Sequence, residues 1–160
     1  LVPERDDEPI LLSLRFEYGI CKDVCIPVES SLSLEISPNE TESAPASAIR
    51  ALKAVPRAQE NLRPEDPELV SAAGTLGGDA PSITIEARFP KADEVADVFL
   101  EAPDGQYLPL PELVERKDNG HLVFEARLDE DVDLALLQGK AITATLVSES
   151  GASVATFLVK

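Results

Sequence analysis

One His, two Cys, no Met and no Trp in 160 residues leave few of the side chains that perform chemistry. A single imidazole, His121, gives no basis for a histidine-rich metal centre, and soft Cu(I) would ordinarily recruit Met alongside Cys. Serine or glycosidase chemistry needs a His or two converging carboxylates, and the acidic residues here are scattered without a usable pairing signal. Cations are scarce too: 14 Lys and Arg against 30 Asp and Glu give a formal charge of −16. Neutralising nucleic-acid phosphates takes clustered Lys and Arg, so the charge argues against direct nucleic-acid binding, and an anionic membrane surface is disfavoured for the same reason. No apolar run approaches the roughly 20 residues of a spanning helix, and the first residues do not form a charged-then-apolar signal sequence. Lacking any Met, the chain reads as a processed or excised soluble piece.

Two motif-like stretches fail on inspection. The glycines at 74, 77 and 78 lack the Lys-Ser/Thr continuation of a phosphate loop. Asp129, Asp131 and Asp133 alternate as a calcium loop begins, but Leu134 stands where Gly is needed and Lys140 where Glu should bind. These acids are expected to favour the positive end of a short helix over residues 134–138.

What is present suffices to fold. Apolar residues make up 44% of the chain with mean hydropathy near zero, unlike a disordered acidic tail. Three zones follow from texture. In residues 1–37, Ile10, Leu12, Leu14, Phe16 and Tyr18 alternate with Ser13, Arg15 and Glu17, the period of a strand with one buried face. Val28, Leu32, Leu34 and Ile36 repeat the pattern, so the two runs read as a hairpin with Phe16 and Tyr18 in its core. Two strands are marginal alone, which makes this an incomplete first unit. Residues 38–80 have the Pro, Ser, Glu and Gly of a linker, interrupted by a short helix over 46–55. Residues 81–160 show short alternating runs separated by Asp104-Gly105, Asn119-Gly120 and Ser150-Gly151. That spacing predicts an immunoglobulin-like sandwich, with His121 exposed at a hairpin start. The fold class is therefore all-β: immunoglobulin-like units, the first incomplete, with a short helix in the connecting segment.

The informative chemistry is Cys21-Lys22-Asp23-Val24-Cys25. In one extended strand the two cysteines would lie about 13 Å apart, whereas a disulfide needs Cα atoms within about 7 Å. A bridge therefore requires the turn that the flanking strands already demand. The closed ring, roughly five residues, contributes only about 2 kcal/mol by loop entropy. Small exposed rings are often reducible, as dithiol exchange requires. Lys22 favours a thiolate and Asp23 opposes one, so the local charge decides nothing. A structural disulfide, a redox-active pair and a two-thiolate metal site all remain open from spacing alone.

Tyr18-Gly19-Ile20-Cys21-Lys22-Asp23-Val24-Cys25-Ile26-Pro27-Val28-Glu29 resembles the periplasmic amino-terminal region of the DsbD family of transmembrane thiol:disulfide interchange proteins. An aromatic before the first Cys, then an aliphatic, Pro and Glu after the second, carry the resemblance. DsbD itself has five residues between its cysteines; the three found here look like the ScsB-type branch, which is associated with copper tolerance. The resemblance implies an immunoglobulin-like redox unit in the periplasm, cut from a membrane-anchored parent. Electrons would pass from the parent's membrane-embedded domain, through Cys21 and Cys25, to thioredoxin-fold clients. Cys25 would be the nucleophile and Cys21 the resolving thiol, in a protein-disulfide reductase with no bound cofactor; Tyr18 would also shield the pair. The alternatives are a non-catalytic sandwich module with a structural disulfide and a copper-handling thiol module.

Overall fold

The computed structural model describes residues 7–21, 24–37, 45–91 and 95–160. It divides into two compact units, residues 1–45 and 46–160.

The first unit is a two-stranded antiparallel ribbon of β1 (Ile10–Cys21) and β2 (Cys25–Ile36). Its register runs unbroken from Ile10 opposite Ile36 to Cys21 opposite Cys25. Directly paired residues share a face, so the alternation sorts the ribbon into two sides. One side carries the rungs Ile10/Ile36, Leu12/Leu34, Leu14/Leu32, Tyr18/Val28 and Ile20/Ile26, with Phe16 opposite Ser30. The other carries Ser13/Ser33, Arg15/Ser31, Glu17/Glu29, Gly19/Pro27 and Cys21/Cys25, with Leu11 opposite Glu35. Phe16 and Tyr18 stack at 5.5 Å between centroids, and both are about two-fifths exposed. Within the described residues they cover each other on an open apolar side and are not enclosed as core.

The second unit opens with α1 (Ala46–Ala54), followed by two four-stranded sheets. One orders β3 (Arg57–Ala58), β10 (Ala152–Leu158), β9 (Ala141–Ser148) and β6 (Ala96–Glu101). The other orders β4 (Glu68–Thr75), β5 (Ser82–Arg88), β8 (His121–Arg127) and β7 (Glu112–Arg116). Alternate residues of both sheets fill one core: Ile83, Ile85 and Ala87 from β5, Leu122, Phe124 and Ala126 from β8, and Ile142, Ala144 and Leu146 from β9. This is the two-layer, all-β architecture of an immunoglobulin-like sandwich.

Two strands lie in the stretch whose composition suggests a linker. β4 runs Glu-Leu-Val-Ser-Ala-Ala-Gly-Thr, too small and polar to announce itself, and a bulge between Leu69 and Ser71 breaks its period. Pairing with β5 makes it a strand. Gly74 in it is a packing requirement, because a Cβ there would overlap the buried Val159 side chain. β3 is only two residues long and pairs in parallel with β10. Asn119-Gly120 and Ser150-Gly151 turn true hairpins, β7–β8 and β9–β10. Asp104-Gly105 instead carries the chain from one sheet to the other: Gly105 donates to Ala102 O and has φ 75°, but β6 and β7 are not partners.

Of the acids before α2 (Leu134–Leu137), Asp133 acts on the helix as expected. Asp133 caps the helix, its carboxylate accepting from Ala135 N at 3.0 Å, and Leu137 is fully buried below. Asp133→Ala is expected to lower the stability of this unit by about 1 kcal/mol in urea unfolding, the usual worth of a lost cap. An unchanged midpoint would mean the cap carries no weight.

Candidate functional site

The ribbon brings Cys21 and Cys25 together because alternation fixes its register. Opposite residues on antiparallel strands have Cα atoms about 4.5 to 5.5 Å apart, inside the window a disulfide needs. Cys25 is disulfide-bonded and exposed, and no free cysteine occurs among the described residues. The rung is the last of the ladder, so it lies at the turn end of the ribbon. Lys22 and Asp23, between the cysteines, lie outside the described residues.

Parity decides what surrounds the pair. The cysteine rung belongs to the polar side, with Gly19/Pro27 next and Glu17/Glu29 beyond. Arg15 reaches across that side, Nη2 donating to Glu29 Oε2 at 2.7 Å and lying 3.6 Å from Glu17 Oε1. These side chains are half or more exposed, so the bridge contributes under about 1 kcal/mol and mainly fixes where charge sits. Tyr18, expected as a shield for the cysteines, lies on the opposite side, three positions from Cys21 and therefore of the other parity. Glu29 entered the sequence reading as part of the motif after the second Cys; Arg15 and Glu17, on the same side of the ribbon six and four positions from Cys21, did not. The signal was available, since cysteines set opposite one another fix every rung behind them.

Among its described residues the second unit holds two polar clusters. Half-buried His121 accompanies Lys117 on Glu86: His121 Nδ1 and Lys117 Nζ each lie 2.7 Å from a Glu86 carboxylate oxygen. The expectation of an exposed His121 is thus corrected, because β5 sets Glu86 beside its ring. Lys117 first, then His121, hold the Glu86 carboxyl below its ordinary range. Asp66, fully buried, accepts from Arg63 N at 2.8 Å and from Arg63 Nη2 at 2.8 Å and Nε at 3.1 Å. Arg57 Nε lies 3.7 Å away. The Arg63 hydrogen bonds depress the Asp66 carboxyl against the opposing effect of burial. Among the described residues no group of three His, Cys, Asp or Glu converges as metal ligands.

With this geometry the chain resembles the crystal structure of the N-terminal periplasmic domain of ScsB from Proteus mirabilis. The superposition has a TM-score of 0.54 at 19% identity and covers 88% of this chain and 54% of that one. The chain thus spans about half the length of that structure, and the likeness is one of fold. No family model matches the chain. No curated protein matches it either. No helix among the described residues is long and apolar enough to cross a membrane.

Proposed function

We propose that this fold, shared with a periplasmic domain of ScsB, serves here as a periplasmic thiol–disulfide exchange module. Electrons pass from a membrane-embedded domain of the same parent protein to thioredoxin-fold clients through Cys21 and Cys25. The observation that carries the reading is an exposed, disulfide-bonded Cys25 on the terminal rung of a ribbon, opposite Cys21. A bridge closing so short a ring contributes little as a staple, and exchange needs an accessible sulfur, which the exposure of Cys25 favours.

In the reduced state the Cys25 thiolate attacks one sulfur of a client disulfide. The client S–S bond breaks, a mixed disulfide forms, and the leaving client thiolate takes a proton. The Cys21 thiolate then attacks Cys25 Sγ, releasing the second client thiol and restoring the Cys21–Cys25 bond. Two electrons and two protons pass to the client, and the upstream dithiol later resupplies them.

The test is the reduction potential of the pair together with trapping in Cys21→Ser. A potential above about −300 mV, within reach of cellular dithiols, and a mixed disulfide at Cys25 with a thioredoxin-fold protein are expected. A lower potential with no adduct would identify a structural bridge and overturn the reading.

A further inference from the structure

Many cations of this chain sit on acids. Arg15, Arg57, Arg63, Arg88, Lys117 and Arg127 each lie against a carboxylate, as expected where 30 acidic residues surround 14 basic ones. Arg50 and Lys53 depart from this, and among the described residues neither has an ion pair. They lie one turn apart on α1 and form, with Ala54, one wall of a cleft of about 440 Å³ in the second unit. The other wall is Arg63 and the β9–β10 hairpin from Val147 to Ala152. Such a volume falls within the roughly 300–1,000 Å³ of small-molecule sites.

The orientation of α1 is unusual. It turns its cations to the hairpin and leaves Ile49, Leu52 and Val55 exposed at 44%, 69% and 56%, where apolar burial would favour the reverse. The helix dipole favours Lys53 in the last turn, but that effect fades before Arg50. Arg63 is held in place, because Asp66 takes its Nε–H and one Nη2–H, fewer than half of a guanidinium's five donors. Among the described residues Glu149, exposed at the hairpin tip, is the one acid lining the cleft.

We infer that this cleft is a binding site for a small organic oxyanion. Arg50, Lys53 and Arg63 hold its carboxylate or phosphate head group, and its carbon body lies on Ala54, Val147 and Ala152. Three cations around one space repel one another; an anion between them offsets that repulsion and supplies acceptors for their N–H groups. The site belongs to the second unit and is independent of the exchange reading.

Backbone-amide NMR titrations of the chain with butyl phosphate, hexanoate, inorganic phosphate and uncharged hexanamide test this. Saturable shifts at Ala54, Ser150 and Gly151 are expected with the organic anions, and whichever binds tighter identifies the head group. Hexanamide is expected to leave these amides unmoved. Inorganic phosphate is expected to bind about tenfold more weakly than butyl phosphate, the worth of burying about two methylenes. Arg50→Gln and Lys53→Gln are each expected to weaken binding about tenfold, through loss of one charge-assisted contact. Glu149→Gln is expected to tighten it about threefold. Lys140→Gln, at the opposite end of β9 and off the cleft, removes the same charge and is expected to change nothing. Absence of saturable shifts with both organic anions, equal shifts with hexanamide, or equal losses in Arg50→Gln, Lys53→Gln and Lys140→Gln would overturn the inference. Equal affinity for inorganic and butyl phosphate would overturn it likewise, leaving an adventitious ion only.

Discussion

Cys25→Ser is expected to bring disulfide reduction by the reduced chain down to the uncatalysed background. A serine hydroxyl neither attacks a disulfide at neutral pH nor forms the S–S bond that closes the cycle. Cys21 is then left as a lone thiol that cannot complete a two-electron transfer. Loss of the bridge costs the ribbon about 2 kcal/mol of loop-closure stabilisation at most. The two readings of the bridge therefore separate cleanly. An exchange site loses turnover of a peptide disulfide while the second unit's cooperative unfolding is retained. A structural bridge shows no turnover to lose in the parent chain, and the substitution alters only the stability of the ribbon.

The second large effect is expected at Asp66, the fully buried carboxylate of the second unit. Its three contacts from Arg63, with Arg57 nearby, make the segment Arg63-Pro64-Glu65-Asp66 a closed turn beside Gly151 of the β9–β10 hairpin. Removing one partner of a buried ion pair costs about 3 to 5 kcal/mol. Here both guanidinium groups keep some solvent, 29% and 39% exposed, so about 2 to 3 kcal/mol is expected for Asp66→Ala in urea unfolding. Gly151 shares the contact: a Cβ there would overlap Asp66 Oδ1 and lie 3.1 Å from Asp66 Cα and Glu65 O. Gly151→Ala is accordingly expected to destabilise as well, and the double variant by less than the sum, because both act on one contact.

The same group sets an acid dependence. Asp66 has a depressed pKa, so its stabilisation is fully present above the ordinary carboxylate pKa of about 3.9 and is lost as pH falls through the folded value. Urea midpoints measured from pH 7 down to pH 3 are expected to fall more steeply for the parent chain than for Asp66→Asn. Parallel curves would assign the acid sensitivity elsewhere, Glu86 being another depressed carboxyl among the described residues.

How much of this was legible in the sequence depended on how strongly each residue commits the backbone. Alternation from Ile10 to Tyr18 and from Val28 to Ile36, with the cysteines between, specified a hairpin, and the register followed. The apolar alternation of β5, β8 and β9 likewise named the core, since only a strand puts Ile83, Ile85 and Ala87 on one side. β4 was hidden because Ser, Ala and Gly fit a pleat only once β5 provides the partner. Asp66 was hidden for a related reason: the stretch around it, between two prolines, reads as irregular, and only the fold brings Gly151 and Arg57 against it. The reading of Tyr18 as a shield neglected a rule already available, that side chains three apart on a strand point to opposite sides.

That rule bears on how the ribbon can change over time. Residues that would react and residues that pack occupy alternate positions of the same two strands, so substitutions at one parity leave the other free to drift. An insertion or deletion of one residue has no such freedom. Placed between Cys21 and the base of β1, it would turn the apolar rungs to the polar side for the whole stretch beyond it. The length of these strands is therefore held more tightly than their composition, and a homologue with another loop between its cysteines should keep the parity of every rung behind them.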